Sequence, residues 1–133
     1  MKLIISFLSV IVVATFFPAQ SFAGPSDLVS FYRVPLVCNA APFGCGSRSK
    51  PVLLDLQENE AVKEAWLNRA GTVIAVVWKE NISPETRSSV TEKVFTARQV
   101  NVEAITGKEF DTEFAAFLRV RIGIRERTWI SLR

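Results

Sequence analysis

Cys38 and Cys45 are the two cysteines of a 133-residue chain that contains no histidine. Six residues separate them, Pro42 and Gly44 among them. Two sulfurs at that spacing have three chemistries open to them: stapling a loop, holding a soft metal ion, or exchanging electrons. A staple is the default, because proline and glycine can turn the chain and bring the two Cα atoms within bonding range. Closing so short a loop adds about 2–3 kcal/mol in the chain-entropy account. The sharper alternative is a thiolate pair. Cys45 runs into Gly46-Ser47 and a predicted helix start, with Arg48 and Lys50 close behind. Unpaired backbone N–H groups and cationic neighbours favour a thiolate. Two thiolates suit a soft, low-coordinate ion, Cu(I) or Hg(II). A redox-active dithiol is the third option, although the spacing is not C-x-x-C.

Other chemistries fall away on composition. A closed zinc site wants four nitrogen or sulfur ligands, and this chain has two sulfurs and no imidazole. Met1 is the sole methionine, so a Met- or His-rich copper-carrier site is excluded. Without histidine there is neither a Ser–His nor a Cys–His pair. Ser47-Arg48-Ser49-Lys50 matches S-x-x-K, but Pro51 follows it directly and the companion motifs are missing. Glu60 and Glu64 fall one turn apart on a predicted helix around Lys63, the pattern of a solvated face. Gly44-Cys45-Gly46 lacks the context of a phosphate loop. The chain reads as a binding or accessory domain, with no recognisable catalytic constellation.

The sulfurs also need an oxidising or metal-exposed compartment, and the first 23 residues predict one. Lys2 is followed by an uncharged, apolar run over residues 3–17, then Pro18 and Ser21-Phe22-Ala23. That is the layout of a secretory signal cleaved after Ala23. The 15-residue run is shorter than the roughly 20 a spanning helix needs. Residues 24–133 are then one exported domain, periplasmic or secreted, with no membrane span after signal removal. Asn81-Ile82-Ser83 is formally a glycosylation sequon, disfavoured by Pro84.

The elements that must position the cysteines alternate along the chain. Residues 29–38 are β-prone, with Pro35 marking an edge or an early end. Residues 51–56 predict a short helix with proline in its first turn. Asn59 can cap a second helix, with Val62, Ala65 and Trp66 on one face and Gly71 at its stop. Val73-Ile74-Ala75-Val76-Val77-Trp78 reads as a central strand buried on both faces. Ser83-Pro84-Glu85 opens a helix that buries Val90, Val94 and Phe95. Residues 100–104 alternate as a strand. Asp111 can cap a helix carrying Phe110, Phe114 and Phe117 at i, i+4, i+7. Val120, Ile122 and Ile124 then alternate with Arg119, Arg121 and Arg125, and Ile130 and Leu132 continue as another strand. The expectation is an α/β (α+β) domain, a compact two-layer sandwich with helices packed on a four- to five-stranded sheet.

The order strand, cysteine loop, helix, apolar strand over residues 34–78 is loosely similar to heavy-metal-associated domains of the ferredoxin-like fold. That family places two residues between its cysteines, against six here, and the predicted order of later elements departs from it too.

Charge adds one feature. Loss of Lys2 leaves 15 basic against 13 acidic residues, too even to predict a polyanion partner. Residues 119–133 nevertheless hold five arginines and one acid. Arg119, Arg121, Arg125 and Arg127 are therefore candidates for an anionic envelope surface or an acidic protein partner. The same alternation would also guard an edge strand from pairing. Nucleic acid is not expected of an exported chain.

Overall fold

A computed structural model describes residues 24–35, 46–121 and 129–131. Five strands and three helices follow one another as β1 (Val29–Arg33), α1 (Gly46–Glu58), β2 (Val62–Asn68), β3 (Val73–Trp78), α2 (Pro84–Ala97), β4 (Glu103–Ile105), α3 (Gly107–Arg121) and β5 (Trp129–Ile130). They form one antiparallel sheet in the order β4-β1-β3-β2-β5. β3 lies antiparallel between β1 and β2, and β1 lies antiparallel between β3 and β4. The first six elements are thus two interlocked β-α-β units, each split by a strand of the other, the ferredoxin-like arrangement. Through β4 the element order follows that arrangement because residues 62–68 are a strand, and α3 and β5 extend it.

Residues 59–71, predicted as a helix, instead form a turn, β2 and the hairpin to β3. Asn59 still caps, but caps a turn: its Oδ1 accepts from Ala61 N at 3.0 Å. Glu60 and Glu64 accordingly share no helix face. At the far end of β2, Asn68 organises the turn. Its Oδ1 accepts from Thr72 N (2.8 Å) and Val73 N (3.0 Å), and its Nδ2 donates to Thr72 Oγ1 (2.9 Å). Gly71, at φ 73°, supplies the left-handed residue.

β3 is buried at every position, as its apolar run predicts. Ile74, Val76 and Trp78 join Val52, Leu53 and Leu56 of α1 and Val94 and Phe95 of α2 on one face. Val73, Ala75 and Val77 face the other way, against Phe117 of α3 and Trp129 of β5. The expected layers, helices on a sheet, are present, and α3 adds a further layer across the opposite face. Aromatic rings dominate there: Phe31 meets Phe110, Phe117 and Trp129 with centroids 5.3, 6.0 and 5.9 Å apart.

α1 is longer than the predicted 51–56 and carries Pro51 inside it. Ser83 caps α2, its Oγ accepting from Thr86 N at 3.2 Å, with Pro84 at the first position. α3 begins at Gly107, ahead of the expected Asp111, and runs through Arg121. Arg119 and Arg121 therefore end a helix, not a strand. Cations there oppose the negative end of the helix dipole. The strand at Trp129–Ile130 is present, pairing Leu67 with Ile130. Among the described residues, no helix is long and apolar enough to cross a membrane.

Candidate functional site

The end of the sheet where β1 leaves for α1 is built by four elements that meet around Arg33. Arg33 is the last residue of β1 and stands opposite Glu103 of β4 in the antiparallel register. Cross-strand neighbours on one face come within side-chain reach, and Arg33 Nη1 donates to Glu103 Oε2 at 3.5 Å. Its Nη2 donates to Glu109 Oε1 from the first turn of α3. Glu113 follows one turn later on the same helix. Glu103 and Glu109, from strand and helix, share one guanidinium, and Glu113 feels its charge.

These groups line an open cleft of about 750 Å³, together with Thr72 of the β2–β3 turn and Asn101 before β4. Val34 and Pro35 form the wall from which the chain continues toward Cys38. The Glu113 carboxyl titrates above the ordinary carboxylate range. Burial is the larger cause and the neighbouring Glu109 carboxylate the second, while Arg33 pulls the other way. The Arg33 guanidinium is held more firmly protonated, chiefly by its hydrogen bond to Glu109. With its side chain 49% exposed, Arg33 remains reachable from solvent. Three carboxyl groups against one cation give the cleft an acidic balance, suited to a ligand that carries positive charge or several hydrogen-bond donors.

Cys38 and Cys45 lie outside the described residues, as do Arg125, Arg127 and the predicted signal at residues 1–23. The chain on either side of the cysteines is placed. Val34 is buried and bonded, its N–H donating to Thr72 O at 2.8 Å, and α1 begins at Gly46, the residue after Cys45. Arg48 and Lys50 are exposed in the first turns of α1. Arg119 and Arg121 are exposed in the last turn of α3, and Arg121 Nη2 reaches Glu64 Oε1 at 3.4 Å. Of the predicted residues that are described, Arg48 and Lys50 thus lie at the start of α1 and Arg119 and Arg121 at the end of α3, and those two arginines do not form a strand face. Among the described residues, no group of three His, Cys, Asp or Glu side chains is arranged to hold a metal ion.

The cleft residues escaped sequence reasoning. Arg33 is 70 and 76 residues from its two partners. Only Glu109 and Glu113, at i, i+4 on one helix, leave a local trace. Compared with family models, with curated proteins and with solved structures, the chain matches none of them.

Proposed function

We propose that this chain is an exported binding or accessory domain that works through the end of the sheet where β1 leaves toward the cysteine pair. The observation that carries this reading is the open cleft around Arg33, Glu103, Glu109 and Glu113, whose wall at Pro35 leads directly into that connection. Cys38 and Cys45 are joined in a disulfide, in keeping with export and the short spacing. The partner is a protein or envelope component presenting basic or donor groups to the acidic cleft.

A second reading is favoured by one specific observation. In a ferredoxin-like element order, the cysteine pair falls in the connection from β1 to α1, and α1 starts immediately behind Cys45. Two thiolates at that position would use the helix N-terminus and the cationic Arg48 and Lys50 to hold Cu(I) or Hg(II), or to act as a redox dithiol.

Thiol titration of the native protein, before and after reductant, separates the two. The disulfide reading expects no reactive thiol until reduction. It also expects the Cys38→Ser/Cys45→Ser variant to lose about 2–3 kcal/mol of stability. Two free thiols that bind one Cu(I) or Hg(II) per chain, with stability unchanged in the double variant, would overturn it in favour of the metal site.

A further inference from the structure

β4 is an edge of the sheet: β1 lies on one side of it and, among the described residues, no strand lies on the other. Its backbone polarity follows from β1. Val34 N donates to Thr72 O just ahead of β3, so Tyr32 and Val34 bond toward β3, while Phe31 and Arg33 bond toward β4. Their partners Ile105 and Glu103 turn N–H and C=O inward, and Ala104 between them turns both groups out of the sheet. Such edges are commonly blocked by proline, lysine or a bulge. Residues 101–106 contain neither proline nor lysine. The sheet's bulge lies in β2 instead, where Val62 pairs with Trp78 and Glu64 with Val77 around an extra Lys63.

β4 is three residues long. Shortness is itself a guard, so an added strand must also gain affinity through its side chains. Two surfaces beside β4 offer that. Ala104 stands across from Tyr32, whose ring meets Phe95 of α2 at 5.6 Å, so this face of β4 looks toward α2. A groove of about 410 Å³ runs between them, with Thr91, Phe95 and Thr96 on one wall and Val100, Val102 and Ala104 on the other. Val102 is a large apolar side chain left 37% exposed. The opposite face of β4 presents the Glu103 carboxylate, its side chain 73% exposed beside Arg33.

We propose that the outer edge of β4 takes up an extended peptide segment of a partner protein, one that alternates basic and apolar side chains. Strand addition of this kind draws affinity from main-chain bonds and specificity from alternate side chains. The segment bonds to the N–H and C=O of Ala104. Its residue opposite Ala104 enters the α2 groove, where Phe95 and Val102 suit an apolar side chain. Its residue opposite Glu103 falls on the other face, where a lysine or arginine completes a cross-strand ion pair. The proposal rests on the reading of this chain as a binding domain and gives its partner a form.

The probe is a blocked peptide of alternating lysine and valine, with a glutamate–valine peptide as control, titrated into the isotope-labelled protein and followed by NMR. Saturable binding of the lysine peptide, with the Ala104 amide shifted and slowed in hydrogen exchange, supports the proposal. Ala104→Pro removes the outward N–H without removing a bond to β1, and should weaken binding about tenfold or more. Glu103→Gln, at an exposed position, keeps the fold and should weaken it about threefold. Equal affinity for the two peptides would overturn the charge half of the proposal. Binding that survives Ala104→Pro but falls in Glu109→Gln would overturn the edge and leave the acidic cleft as the site. A dimer that Ala104→Pro converts to a monomer would overturn the peptide partner in favour of a second copy of this chain. Absence of binding would overturn the edge alone, because the acidic cleft does not require an extended partner.

Discussion

Arg98 grips Asp55 with two parallel hydrogen bonds, Nε to Oδ2 at 2.5 Å and Nη2 to Oδ1 at 2.7 Å. Forked pairs of this kind are the geometrically specific form of a salt bridge. Here the fork ties the residue just past α2 to the last turn of α1, the two helices that share one face of the sheet. Arg98 is 43% exposed, so solvent takes back much of the Coulomb attraction.

Asp55→Asn should therefore cost only about 0.5–1 kcal/mol at neutral pH. The Arg98 bond holds the Asp55 carboxyl below its ordinary value, outweighing the opposing effect of burial. A depressed acid stabilises the fold above its unfolded pKa, about 3.9, and that contribution is lost as pH falls below it. Urea melts of both proteins should differ at neutral pH and converge in acid. A constant difference across that range would rule the ion pair out as the cause.

Glu113 carries the opposite sign. Its carboxyl is raised in the folded protein, so ionisation disfavours folding as pH rises through the unfolded value, about 4.3. Glu113→Gln should raise the unfolding free energy at neutral pH, by less than about 1 kcal/mol given the partial exposure of the site. Below pH ~4 the gain should vanish. An equal gain at both pH values would mean that charge is not the reason.

Phe117 is fully buried and touches Phe31, Trp66 and Trp129, at ring distances of 6.0, 5.9 and 5.5 Å. Phe117→Ala should cost about 3–5 kcal/mol, as deletion of a core aromatic leaves a cavity as well as a transfer loss. Chemical denaturation followed by circular dichroism gives the number. A loss below about 1 kcal/mol would show that α3 does not hold its face of the sheet.

Asn68→Ala removes three hydrogen bonds from the β2–β3 turn and should cost about 1–3 kcal/mol. Asn68→Asp keeps the acceptor used by Thr72 N and Val73 N, and should recover most of the loss. Equal destabilisation by the two substitutions would show that the acceptor is not what organises the turn.

Legibility followed the local signals. β3 was readable because six consecutive apolar, mostly β-branched residues fit a strand covered on both faces, and Ser83-Pro84-Glu85 announced α2 outright. β2 was not, and the bulge at Lys63 is the cause. It puts Val62, Ala65 and Leu67 on one face, a spacing of three and then two. The first step of that pattern copies a helix. The arginine alternation misled for a related reason: Arg119 and Arg121 are two apart, but Phe110, Phe114 and Phe117 carry the helical period straight into them. Residues of the acidic cleft were invisible because no local pattern encodes a meeting between the end of β1 and the start of α3. The two cysteines that hold most of the sequence's chemical content fall outside the described residues.

The splitting of the core between two faces also makes the protein its own optical instrument. Trp78 lies on the α1/α2 side, its Nε1 donating to Ser30 Oγ at 2.9 Å, while Trp66 and Trp129 lie on the α3 side. Trp66→Phe/Trp129→Phe leaves an emitter that sees one face, and Trp78→Phe leaves emitters that see the other. Because neighbouring residues of β3 serve both layers, the two colours of this reporter should report a single transition. If they part, the α3 layer detaches while the split β-α-β core stays folded, and a ligand at the acidic cleft could then be traced to the layer it steadies.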